Sequence, residues 1–117
     1  MTREEFLGFC RTIGGAALDQ PFDEDFSSWV ARHENNRKWF ALLMEHDGRD
    51  IVNLKCDPQE ADFLRRVYEG VTPAYHMNKV HWNSVYLASD VPAEEIERMT
   101  LNSFRLTDTA KRVKKER

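Results

Sequence analysis

No run of apolar residues in this chain approaches the length of a membrane-spanning helix, and the opening Met1-Thr2-Arg3-Glu4-Glu5 is no signal peptide. The expectation is a cytoplasmic protein with no membrane partner. Cysteine is scarce. Cys10 and Cys56 are far apart and lack metal-type spacing, which predicts two reduced, partly buried thiols. The chain has no Gly-rich phosphate loop, no Ser nucleophile elbow and no paired catalytic carboxylates. It therefore reads as a non-enzyme, with no catalytic residue, metal site or cofactor assigned. Internal repeats and low-complexity segments are also missing. The most informative absence is local: no carboxylate occurs between Glu69 and Asp90, in a chain with 20 Asp and Glu and a net charge of −3.

What is present fits one globular domain over residues 1–117. That length buries a single core, and 41% hydrophobic with 32% charged residues excludes a disordered chain. Charge is uneven along it. Residues 1–58 carry 7 Lys/Arg against 11 Asp/Glu, residues 59–117 carry 10 against 9, and the tail 111–117 holds five bases and one acid. The tail suits a helix C-terminus, where cations complement the macrodipole.

Thr2-Arg3-Glu4-Glu5 has the capping-box pattern. Phe6, Leu7, Cys10 and Ile13 follow at helical spacing until Gly14-Gly15 stops the helix. An acidic connection over residues 19–25, anchored by Phe22, leads to strands predicted over 26–32 and 37–46. Between them His33-Glu34-Asn35-Asn36 is the turn, because Asn tolerates positive φ. A second turn at His46-Asp47-Gly48-Arg49 precedes an alternating strand, with Val52, Leu54 and Cys56 facing in and Asn53 and Lys55 facing out. Asp57-Pro58-Gln59-Glu60 starts a helix whose buried stripe is Ala61, Leu64 and Val67/Tyr68, with Phe63 beside it, and Gly70 ends it. Strands over 71–76 and 82–88 flank Met77-Asn78-Lys79, with Pro73 marking the first as an edge. Val91-Pro92 opens a last helix that lays Ile96, Met99, Ser103, Leu106 and Ala110 on one side. The order is α-β(3)-α-β(2)-α, an α+β fold with an antiparallel sheet backed by helices on one face.

Residues 70–87 form the acid-free window. They gather His76, His81, Asn78, Asn83, Lys79, Tyr75, Tyr86 and Trp82. Donors beside aromatic faces suit a nucleic-acid backbone, an anionic ligand or a polar peptide. The same residues also suit a β-hairpin, and Tyr75, Trp82, Val85 and Leu87 read more readily as sheet core than as a platform.

Leu54-Lys55-Cys56-Asp57-Pro58, the run Gly70-Val71-Thr72-Pro73-Ala74-Tyr75-His76-Met77-Asn78-Lys79, and His81-Trp82-Asn83 resemble the hallmark motifs of the MmcQ/YjbR family. Pro21-Phe22 and Ser103-Phe104-Arg105-Leu106 extend the resemblance over nearly the whole chain. It implies a fold of the secretion-chaperone type and a bacterial protein labelled DNA-binding, a label that rests on fold likeness to a double-wing DNA-binding domain. The first hairpin departs from many relatives: Glu34-Asn35-Asn36-Arg37-Lys38 stands where they carry Gly-Gly and Lys, and Phe104 replaces a frequent Tyr.

Three readings follow. In the first, double-stranded DNA is bound, with Lys55, Lys79, Arg37, Lys38 and Arg49 on phosphates, His76, Asn78, His81 and Asn83 adding hydrogen bonds, and Trp82 stacking or wedging. In the second, the protein is a partner- or peptide-binding module, or a homodimer, using an edge strand. In the third, His76 and His81 act as acid and base with Lys79 on an anion, or join Cys56 around zinc.

Overall fold

A computed structural model describes residues 1–108; the expected basic tail at 111–117 and the helix position of Ala110 lie outside the described residues. The elements in chain order are α1 (Arg3–Arg11), β1 (Ala16–Asp19), β2 (Trp29–His33), β3 (Trp39–His46), β4 (Arg49–Lys55), α2 (Pro58–Val67), β5 (Val71–Pro73), β6 (Trp82–Tyr86) and α3 (Ala93–Leu106). The strands make one antiparallel sheet in the order β1-β2-β3-β4-β6-β5. The α+β architecture stands, with one strand more among the described residues than the sequence predicts. Gly15 leaves α1 with φ +90° and turns the chain directly into β1, which pairs along β2 from Ala16–His33 to Asp19–Val30.

The helices cover one face. Phe6, Leu7 and Cys10 of α1, Ala61 and Leu64 of α2, and Ile96 and Met99 of α3 share a core with Ala31, Leu43, Val52, Leu54 and Val85 of the strands. The expected capping box holds: Thr2 Oγ1 accepts from Glu5 N–H at 3.1 Å, and Glu5 Oε1 accepts from Thr2 N–H at 2.8 Å. At α2, Pro58 occupies the first turn, but the Asp57 side chain makes no capping hydrogen bond. Only Ala61 and Leu64 of that helix are buried. Of the expected Val67/Tyr68 pair, Tyr68 packs against the core while Val67 is 49% exposed, and Phe63, beside the stripe, is 59% exposed. Both thiols are buried and unpaired, and burial pushes Cys10 up to about 12 and Cys56 up to about 11.

Two local features set the sheet's geometry. A β-bulge shifts the β2–β3 register, so that Ala31 faces Ala41 while Arg32 faces Trp39, and Phe40 and Ala41 both enter the core. Ser103 repairs the ladder beside the bulge: its hydroxyl donates to Phe40 O at 2.6 Å and accepts from Lys55 N–H at 2.9 Å. At the β3–β4 turn Asp47 and Gly48 have φ of +53° and +74°, as a two-residue hairpin turn requires.

Candidate functional site

Side chains alternate across a strand, so the residues between the core positions emerge on the face the helices leave bare. These are Leu42, Met44 and His46 on β3, Ile51, Asn53 and Lys55 on β4, and Trp82, Ser84 and Tyr86 on β6. Alternation predicts solvent for Asn53, yet it is fully buried. The reason is the segment after β5. The expected strand over 71–76 ends at Pro73, and the chain then lifts off the edge and lies across the bare face as a strap over residues 74–80. Ser84 Oγ donates to Asn53 Oδ1 and accepts from Tyr75 N–H at 2.9 Å, while Asn53 Nδ2 donates to Tyr75 O at 2.9 Å. The N–H and C=O of one strap residue are thus both met by side chains from the sheet.

Tyr75 then rests on His46, ring centroids 4.1 Å apart, and His76 rests on Tyr75 at 3.9 Å. His76 holds φ at +64°, the left-handed region that a non-glycine residue adopts only when its surroundings fix it. The return limb is tied down twice. Asn78 Oδ1 accepts from Val80 N–H at 2.9 Å and His81 N–H at 3.2 Å, and the Arg65 guanidinium of α2 donates to Lys79 O and, at 2.7 Å, to Asn83 Oδ1.

The predicted site residues separate into three groups. Register places Lys38, just before β3, Lys55, closing β4, and Trp82, opening β6 opposite Lys55, at one end of three adjacent strands. Arg37 precedes Lys38 at the hairpin tip. Lys79 and His81 lie at the same end, because Arg65 joins Lys79 O to the start of β6 and His81 O accepts from Cys56 N–H at 2.8 Å. Arg37, Lys38, Lys79 and His81 are exposed, and Lys55 and Trp82 are half-buried. His76 is exposed over the middle of the bare face. The two amides serve the fold: Asn78 shapes the strap's turn, and Asn83 is buried, donating to Ala61 O at 3.3 Å while it holds Arg65.

Other expectations are corrected. Arg49 stands at the far end of β4, about 20 Å from Lys55 at the rise of a strand, with its guanidinium 4.1 Å over the Tyr86 ring. Arg37, and not an Asn, takes the positive φ of the first hairpin, at +64°. Asn36 instead accepts from Lys38 N–H at 2.8 Å and donates to Thr107 O at 3.0 Å, which pins the tip to the end of α3. The Cys56 thiol is buried in the core, whereas His76 and His81 are exposed. Among the described residues no group of three His, Cys, Asp or Glu can hold a metal ion.

Sequence reasoning missed the cleft that the strap borders. Leu42 and Met44 line it with His76, Phe22 and Trp39, and its volume is about 310 Å³. Phe22 meets Trp39 edge-on, centroids 6.1 Å apart. Asp25 and Ser28 close one side. Both Ser27 and Ser28 bond the Asp25 carboxylate, which lowers its pKa to about 2, the Ser28 hydroxyl contributing most. The anchor role expected of Phe22 was the one sequence signal pointing here.

A model of the YjbR family matches residues 12–106. The protein YyaQ of Bacillus subtilis is 35% identical over 117 residues, covering 92% of this chain and 98% of its own. YjbR of Escherichia coli K12 is 34% identical over 96 residues, covering 82% and 78%. Both are named as uncharacterised. Among solved structures, a Pseudomonas syringae crystal structure superposes with TM-score 0.85 at 35% identity, covering 92% of this chain and all of that one. A Deinococcus radiodurans structure gives 0.77 at 28% identity, covering 90% and 77%.

Proposed function

This chain belongs to the YjbR family, and we propose that it is a non-enzymatic nucleic-acid-binding protein whose contact surface is the cationic end of the sheet. The observation that carries this reading is the register: Lys38, Lys55 and Lys79, with Arg37 and His81, stand on neighbouring strands and the strap at one sheet end. Their side chains take the phosphates. Trp82, across from Lys55, offers an apolar face beside them. Asn83 is left out of the contact set, because its amide is spent inside the fold. With a net charge of −3 the attraction is local to this cluster, and its salt dependence follows the number of phosphates neutralised.

Fluorescence anisotropy against a labelled random duplex, across salt concentrations, tests this. Each phosphate neutralised contributes about 0.9 to the slope of log affinity against log salt, so Lys55→Ala with Lys79→Ala should flatten the slope by about 1.8. No binding at low salt, or a slope untouched by the double substitution, overturns the proposal. A second reading has one observation in its favour: the outer edge of β1 is paired by no described strand and can accept an extended segment of a partner protein. A pull-down that loses its partner when β1 carries Ala17→Pro, and not in the lysine double variant, would favour it.

A further inference from the structure

The lysine surface leaves the cleft on the bare sheet face unexplained, and the two adjoin: Trp39, which walls the cleft, opens β3, and Lys55 emerges on the same face at the same end of the neighbouring strand. At about 310 Å³ the cleft reaches the lower end of sites that enclose small molecules, about 300 Å³. Its lining is almost wholly apolar. One wall is His76, the outermost ring of the His46–Tyr75–His76 pile, held there by a left-handed backbone and by the Asn53–Ser84 anchor beneath Tyr75. The other walls are Phe22 and Trp39. A flat, uncharged ring suits these walls. A phosphate does not, because the Asp25 carboxylate stands at the cleft's side and remains ionised.

Resting on the nucleic-acid reading above, we infer that the cleft takes one unpaired base of a single-stranded nucleic acid, stacked against His76, with the flanking phosphates on Lys55 and Lys79. Base stacking on aromatic side chains tolerates any sequence, since every base has a π-face. A base in a duplex is already stacked and paired and must be extruded before it can enter. The preferred ligand is therefore an unpaired strand, DNA or RNA.

The test uses the full chain and labelled strands of about twelve nucleotides: oligothymidine, oligouridine, an abasic strand of equal length and a duplex. His76→Asn removes the ring but tolerates the left-handed backbone, and its thermal melt checks folding. Oligothymidine or oligouridine should bind at least about ten-fold more tightly than the abasic strand and the duplex, the range of one base–aromatic stack. His76→Asn should erase that advantage. A gap between oligouridine and an oligodeoxyuridine of equal length, which differ only in the 2′-OH, decides whether RNA or DNA is preferred. Equal binding to all four ligands, or an advantage that survives His76→Asn, overturns the cleft inference while salt-dependent duplex binding stands. Binding to none of them overturns both readings.

Discussion

Asn53 and Ser84 are small polar residues at the centre of a sheet face, and each would cost free energy there if left unpaired. They are held by one another and by the Tyr75 backbone, so the strap is part of what satisfies the sheet. Asn53→Ala leaves Tyr75 O and one Ser84 bond without a partner. It should destabilise the protein by about 1–3 kcal/mol, read as a lower urea midpoint with an unchanged m-value. A wild-type midpoint in Asn53→Ala would mean that water replaces the amide and the strap is not anchored by it. Alternation alone put Asn53 outward. The face was assigned correctly, but its exposure was not, because burial there is made by a segment some twenty residues downstream.

At the scale of elements, the strap and α2 are joined through Arg65, whose guanidinium serves Lys79 O, Trp82 O and the buried Asn83 Oδ1. What Arg65 holds is the backbone of Lys79; the Lys79 side chain is exposed. The two residues should therefore separate in stability measurements. Lys79→Ala should change stability by less than about 0.5 kcal/mol, whereas Arg65→Ala should cost about 1.5–3 kcal/mol, the range for hydrogen bonds to a charged group. Matching thermal melts of the two variants would contradict this division. Element types were largely legible: the capping box of α1, Pro58 opening α2, the Asp47-Gly48 turn and the β4 alternation all follow from local chemistry. β1 was not, because Ala16–Asp19 is a four-residue edge strand with no alternation, and only its pairing along β2 defines it. The end of β5 at Pro73 is similar. Proline signals an edge, but where the chain goes next depends on the receptors waiting at Ser84 and Asn53.

Across the molecule, the β2–β3 hairpin is fastened to α3 by His33, which is 2% exposed. Its Nε2 lies 2.7 Å from Thr107 Oγ1, and its ring stacks on Phe104 at 4.1 Å. Burial lowers the His33 pKa below the ordinary 6.5, with Asp108 opposing the shift and Lys38 adding to it. The unfolded chain therefore binds a proton that the native chain resists. Stability from this group is fully present above about pH 6.5 and is lost as pH falls toward the native value. Thermal melts should drop between pH 7 and pH 5, and His33→Phe should flatten that slope; an equal slope in the variant would place the loss in other groups.

The sequence by itself determined the fold class and the family, because periodicity, caps and turn residues act over a few positions and the long motif over residues 70–83 is specific. It also marked the acid-free window as chemically distinct. Only the tertiary structure decided which of those side chains remain available. Asn83 is consumed by the fold, the Asn78 carbonyl oxygen shapes the strap's turn, Arg49 is carried to the far end of β4, Lys38 and Lys55 are brought to the same sheet end as Lys79, and His76 is set over a cleft walled by Phe22 and Trp39. The physical reason is that hydrogen-bond satisfaction and strand register are settled between segments distant in the chain, and no local pattern encodes which partner will be there.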